Sequence, residues 1–187
     1  MGAATSPHQP LPQMNWTSHL QLEDLEATQQ LAARLAAQLR AGDLVVLTGG
    51  LGSGKTTFTQ ALAEALGVEG RVSSPTFVLS RVHRSAGRGP DLVHVDAYRT
   101  DAEGLETLDL SATQAEAVTV VEWGRGLVES EMAGSEGSWL DLELTQPHTP
   151  TASEIITDFS ESEEQLLGAP RTAVLRGYGP RWPHPLL

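Results

Sequence analysis

No cysteine occurs in the chain, and that absence removes disulfide staples, thiolate nucleophiles, cysteine zinc sites and iron–sulfur ligation together. Any chemistry must use oxygen, nitrogen or backbone groups. Basic charge is scarce as well: 12 Lys and Arg stand against 24 Asp and Glu, a formal net charge of −12. So acidic a chain repels phosphate backbones, which argues against direct nucleic-acid binding by this protein alone. No apolar run approaches the ~18 residues of a membrane-spanning helix. The N-terminus also lacks the basic and then apolar segments of a secretory leader. The expected location is the cytoplasm, away from membranes. At 187 residues the chain suits one domain of about 150 residues with tails.

Lysine is the scarcest charged residue. Eleven of the basic residues are Arg, and the single ammonium is Lys55. Its surroundings are the most informative part of the sequence. Leu44 to Thr48 is a short apolar run without alternation, as a strand buried on both faces requires. It leads into Gly49-Gly50-Leu51-Gly52-Ser53-Gly54-Lys55-Thr56, which fits G-x-x-x-x-G-K-[ST]. A helix is expected from Lys55 to Leu66, stopped by Gly67. Glycines in such a loop let successive N–H groups converge on phosphates at a helix N-terminus. Gly50, Leu51, Gly52, Ser53 and Gly54 would form the cradle; Lys55 would bridge the β- and γ-phosphates, Thr56 would offer its hydroxyl to Mg²⁺ and Thr57 would reach the α-phosphate.

A nucleotide site also needs carboxylates, placed at the ends of neighbouring buried strands. Leu92 to Asp96 and Ala117 to Glu122 each end an apolar run in an acid, so Asp96 and Glu122 are the candidates to hold Mg²⁺ or orient water. His94 has no second His or Cys at ligand spacing and reads as a hydrogen-bonded structural histidine rather than a metal ligand. Thr76 follows Pro75, and its hydroxyl could act as GTPase switch threonines do. Recognition of guanine through an Asn/Thr-Lys-x-Asp element is excluded, because the one lysine is already in the cradle. No G-x-S-x-G elbow is present for a hydrolase.

The remaining elements frame this centre. Residues 1–14 are expected to be a disordered tail, 15–144 the P-loop core, 145–170 an exposed acidic insertion, and 171–187 a returning strand and tail of the same domain. An amphipathic helix is expected from Glu23 to Arg40 and a strand from Thr76 to Val82. Trp139 to Leu144 alternates strictly and reads as a half-exposed edge strand, with Thr172 to Arg176 able to pair near it. The fold class is α/β, a P-loop NTPase-like single domain with a mainly parallel sheet flanked by helices.

Four ordered blocks go further: Gly49 to Phe58, Ser74-Pro75-Thr76-Phe77, His94-Val95-Asp96-Ala97-Tyr98-Arg99, and Glu122-Trp123. With them the chain resembles the bacterial TsaE (YjeE) family of small P-loop ATPases needed to make threonylcarbamoyladenosine in tRNA. The resemblance spans about residues 20 to 125. It implies a slow Mg²⁺-dependent ATPase that acts on a complex of TsaD and TsaB type proteins, one of which transfers threonylcarbamoyl to the adenosine beside the anticodon. It implies Thr56 and Glu122 as Mg²⁺ residues, Asp96 in the catalytic pocket and Thr76 in a segment facing the γ-phosphate. Trp123 and Thr28 would lie near the nucleotide. Three positions depart from the family pattern: Gly50 stands where an acid is usual, Ser53 where Ala is common, and Ala97 where a bulkier apolar residue is usual. Two other readings of the same cradle are a P-loop kinase of a small acceptor and a nucleotide-gated assembly factor without catalysis.

Overall fold

The computed structural model describes residues 12–73, 80–87, 89–98, 113, 115–129, 137–146 and 169–187. Thr76, Arg99, most of the N-terminal tail and most of the acidic insertion lie outside the described residues.

The elements run β1 (Met14–Leu22), α1 (Leu25–Ala36), β2 (Leu44–Thr48), α2 (Lys55–Leu66), β3 (Ser80–His83), β4 (Asp91–Asp96), β5 (Ala117–Glu122), β6 (Trp139–Thr145) and β7 (Arg171–Tyr178). They form one seven-stranded sheet in the order β1-β7-β6-β2-β5-β4-β3. The central strands β6, β2, β5 and β4 are mutually parallel, while β7, β1 and β3 join antiparallel. This is the expected α/β architecture.

Local chemistry explains the elements nearest the cradle. Asp24 caps α1 by accepting the Ala27 N–H at 2.8 Å, so the helix starts two residues later than its amphipathic pattern. Its inner face is Thr28, Leu31, Ala32 and Leu35. α2 begins at Lys55 and ends at Gly67, whose φ of 73° is the left-handed cap that glycine supplies without strain. In β2 the alternation divides the core. Val45 and Leu47 face the cluster containing Leu35, Phe58 and Leu62, whereas Leu44 and Val46 pack with Val93, Val121 and Trp139 on the other side. Each fully buried aliphatic side chain of this kind contributes roughly 1.5–3 kcal/mol.

Two strands differ from the sequence reading. β1 is not anticipated there at all, although Trp16 and Leu22 are buried on it. It pairs along its length with β7, and Trp16 Nε1 donates to the Trp182 carbonyl at 2.9 Å. β6 is not a half-exposed edge: it lies between β2 and β7, and the edges are β1 and β3. Its alternation comes from Asp141 and Glu143, whose carboxylates are covered by arginines from elsewhere. Arg125 Nη2 lies 2.8 Å from Asp141 and 3.1 Å from Glu143, and Arg176 Nη1 lies 3.3 and 2.9 Å from the same two. The expected strand at Thr172 to Arg176 is the middle of β7, antiparallel to β6.

This network makes the fold acid-sensitive. Burial pushes the Glu143 carboxyl up, but hydrogen bonds from Arg176 and Arg125, aided by their charges, outweigh it and hold the group below its ordinary value. A depressed folded value means that its stabilisation is complete above the usual carboxylate range and disappears as pH falls through the folded value. Urea midpoints at pH 6.5 and pH 3.5 should therefore differ less for Glu143→Gln than for the parent. Equal differences would contradict the role given to this network.

Candidate functional site

The parallel strands end at one level, and the candidate site lies there. Register places Leu47 beside Glu122 and Glu122 beside Asp96, so both carboxylates stand next to the point where β2 enters the glycine loop. Gly49, Gly52 and Gly54 have φ of 145°, 76° and 99°, conformations that side-chain-bearing residues rarely adopt. Gly54 then caps α2, and the first helical bond is Phe58 N–H to the Gly54 carbonyl at 2.8 Å. The N–H groups of Lys55, Thr56 and Thr57 precede that bond and so lack an intrahelical acceptor; they are aimed along the axis with its partial positive charge.

Lys55 is folded back onto this loop. Nζ donates to the carbonyls of Gly49 and Gly50, both at 2.9 Å, and lies 3.9 Å from the centroid of Trp123. Burial lowers the pKa of this ammonium below its ordinary value, and the negative charges of Glu122 and Asp96 offset only part of that effect. An arriving phosphate would supply further counter-charge.

Around the lysine runs a chain of polar contacts. The Thr56 hydroxyl donates to Glu122 at 3.1 Å to Oε1 and 3.3 Å to Oε2. On the other side, His94 Nε2 lies 2.8 Å from Glu122 Oε1, with both side chains buried. A carboxylate oxygen only accepts, so toward an ionised Glu122 the Nε2 is the donor. His94 is thus the hydrogen-bonded histidine expected from sequence, and its partner is the candidate acid itself. Asp96 Oδ1 accepts the Tyr98 N–H at 3.0 Å.

Trp123 has φ of 63°, the one non-glycine residue with positive φ among those described. Such a backbone costs about 1–3 kcal/mol and persists only where surroundings hold it. Here its N–H donates to the Leu47 carbonyl at 2.9 Å, and its ring lies 5.0 Å from that of Tyr98 as well as over Lys55.

The structure therefore brings together Gly49 to Gly54, Lys55, Thr56, Asp96, Glu122 and Trp123. Leu51 is 92% exposed at the loop tip, and Ser53 is buried with Oγ 3.5 Å from Lys55 Nζ. Thr57 is half-buried, one residue further along α2. Thr28 is buried in α1 and gives its hydroxyl to the Asp24 carbonyl at 3.3 Å rather than to the cradle. Two residues that touch the loop escape a sequence reading: Gln146 Nε2 donates to the Gly52 carbonyl at 2.8 Å, and Arg171 Nε to the Ser53 carbonyl at 3.0 Å. No local pattern marks either.

Comparison with known proteins places the chain in a family. Residues 22–152 match the family model described as "Threonylcarbamoyl adenosine biosynthesis protein TsaE". Among curated relatives named tRNA threonylcarbamoyladenosine biosynthesis protein TsaE, that of Streptomyces coelicolor is 59% identical over 102 residues, covering 54% of this chain and 69% of that one. That of Mycobacterium leprae is 50% identical over 115 residues, covering 57% and 71%. That of Bacillus subtilis is 40% identical over 108 residues, covering 57% and 66%. A solved structure titled "Crystal structure of Bacillus subtilus YdiB" superposes with a TM-score of 0.63 at 24% identity, covering 91% of this chain and 90% of that one, a likeness of fold. Among the described residues no helix is long and apolar enough to cross a membrane. With a family model matched across the cradle, both acid-bearing strands and Trp123, the chain belongs to the TsaE family of threonylcarbamoyladenosine biosynthesis proteins.

Proposed function

We propose that the protein is a Mg²⁺-dependent ATPase serving the threonylcarbamoyl modification of tRNA, and that it acts through proteins of the TsaD and TsaB type. The observation that carries this reading is the chain His94–Glu122–Thr56 set beside a buried Lys55 at the mouth of the glycine loop. Family membership supports the biological setting. A net charge of −12 supports contact with tRNA through partners rather than directly.

The residues present fit Mg²⁺. Thr56 and Glu122 offer hard oxygen donors in mutual contact, while among the described residues no three His, Cys, Asp or Glu side chains gather into a cage. That suits an ion that keeps waters and takes substrate phosphate oxygens as ligands. Bound there, it would neutralise charge on the β- and γ-phosphate oxygens. The protein's own part is positioning and charge. The ammonium of Lys55 exchanges the carbonyls of Gly49 and Gly50 for phosphate oxygens, and the N–H groups at the start of α2 receive the rest. Glu122, in contact with the Thr56 hydroxyl, would hold the ion, and Asp96, level with it on β4, would orient the attacking water. The Trp123 ring covers the ammonium on one side, with Tyr98 packed against that ring.

Phosphate release from the purified chain with MgATP and no acceptor, followed by analysis of products from a metabolite extract, tests the reaction. Free phosphate is expected without an acceptor. Phosphate delivered to a metabolite would identify a kinase instead, and ATP bound but never cleaved would identify an assembly factor. Retention of TsaD and TsaB type proteins on the immobilised chain in an ATP-dependent manner is the expected result for the biological role.

A further inference from the structure

We propose that Arg171, assisted by Gln146, is a positioning residue for phosphate binding: it holds the Ser53–Gly54 peptide from behind, so that the Gly54 N–H faces the cradle. The inference rests on the ATP-binding reading above and deepens it. Arg171 opens β7, beyond the residues that match the family model.

A trans peptide carries its C=O and N–H on opposite sides of a rigid plane, so fixing the oxygen fixes where the hydrogen points. The Arg171 Nε–H donates to the Ser53 oxygen at 3.0 Å, and Nη1 donates to the Ala169 carbonyl at 3.2 Å. The plane so held is the one bearing the Gly54 N–H, which makes no hydrogen bond among the described residues. The preceding plane is held at both ends. Its Gly52 oxygen accepts from Gln146 Nε2 at 2.8 Å, and its Ser53 N–H donates to the Gly50 carbonyl at 3.2 Å.

Two further observations mark a built arrangement. Arg171 is only 2% exposed, so its guanidinium is held in the protein interior at a desolvation cost. Its Nε also stands 2.8 Å from where a β-carbon on Gly54 would lie. The loop backbone and the guanidinium are therefore in direct apposition, and no larger residue fits at 54 without displacing the arginine. A buried cation behind the loop adds to the positive field that the cradle presents to a phosphate.

Arg171→Met, Arg171→Lys and Gln146→Ala in the full chain, titrated calorimetrically with ADP beside the parent, test the proposal. Arg171→Met should weaken ADP about tenfold with one site per chain retained. Arg171→Lys, which keeps a donor and the charge but not the fork, should weaken it less, and Gln146→Ala by about twofold to threefold. A purely structural role would lower the number of sites, as misfolded material accumulates, and leave the Kd of the remainder unchanged. Should Arg171→Met fail to fold, the lysine variant and Gln146→Ala, whose hydrogen bond lies at the exposed rim, carry the test. The Gly54 amide resonance should shift when pyrophosphate is added to the parent, and shift less in Arg171→Lys. Parental Kd in every folded variant, together with an unaltered Gly54 response, overturns the proposal and leaves the ATPase reading standing. A parent that binds no ADP overturns both.

Discussion

Replacement of Lys55 by alanine is expected to lower phosphate release from ATP by about 100- to 1,000-fold, the loss typical when one well-placed charge donor leaves a reaction centre. The expectation follows from where the ammonium sits. It is 5% exposed, it already occupies two loop carbonyls, and it is the only lysine in the chain, so no neighbouring ammonium can substitute. The fold should survive. Burial of Lys55 is itself unfavourable, as its lowered pKa records, so deleting the side chain relieves a desolvation cost while it deprives Glu122 and Asp96 of a counter-charge. These opposing changes should leave the melting temperature within a few degrees of the parent. Malachite-green phosphate release and thermal melting followed by circular dichroism check the two halves. Normal turnover by a folded Lys55→Ala chain would remove the cradle from the reaction.

Glu122→Gln has the second largest expected effect and a different signature. The amide keeps an oxygen for His94 Nε2–H and for the Thr56 hydroxyl, both of which lie within 3.1 Å of Glu122 Oε1, so the local hydrogen bonds can persist. The charge does not persist. The Mg²⁺ concentration giving half-maximal turnover should rise about tenfold or more, whereas ADP affinity measured without Mg²⁺ should change little. Because the Glu122 charge also holds the Lys55 pKa up, the variant should lose activity at a lower alkaline pH than the parent. Glu122→Ala is the harsher change, since it leaves the buried His94 donor without its acceptor at about 1–3 kcal/mol. An unchanged Mg²⁺ requirement in Glu122→Gln would transfer the ligand role to Asp96.

The parts of this protein legible in its sequence are those fixed by neighbours along the chain. β2, the cradle and α2 are continuous in sequence, so an apolar run, a glycine pattern and a helical period suffice to place them. Asp96 and Glu122 are legible for a related reason: each ends a buried strand, and parallel pairing puts such ends at one level. His94 is half legible. Its spacing of two from Asp96 puts it on the same face of β4, but only the folded structure shows that its partner is Glu122, two residues beyond its register neighbour Val120.

What escapes is set by distant residues. The acids of β6 look like a solvent face until Arg125 and Arg176 are seen to cover them. Ser18 interrupts the apolar alternation of β1, and its principal anchor is Trp16 against Trp182 at the far end of the chain. Gln146 and Arg171 reach the loop from 94 and 118 residues away, which no motif can encode.

The central claim is that main-chain amides and one ammonium hold a nucleoside triphosphate at the start of α2. Isothermal titration of ATP with Mg²⁺ into the full chain tests it most directly. One binding site per folded chain is predicted, with the heat lost in Lys55→Ala. A well-folded parent that gives no binding heat across a range of temperatures, or a Lys55→Ala chain that binds as the parent does, would contradict it.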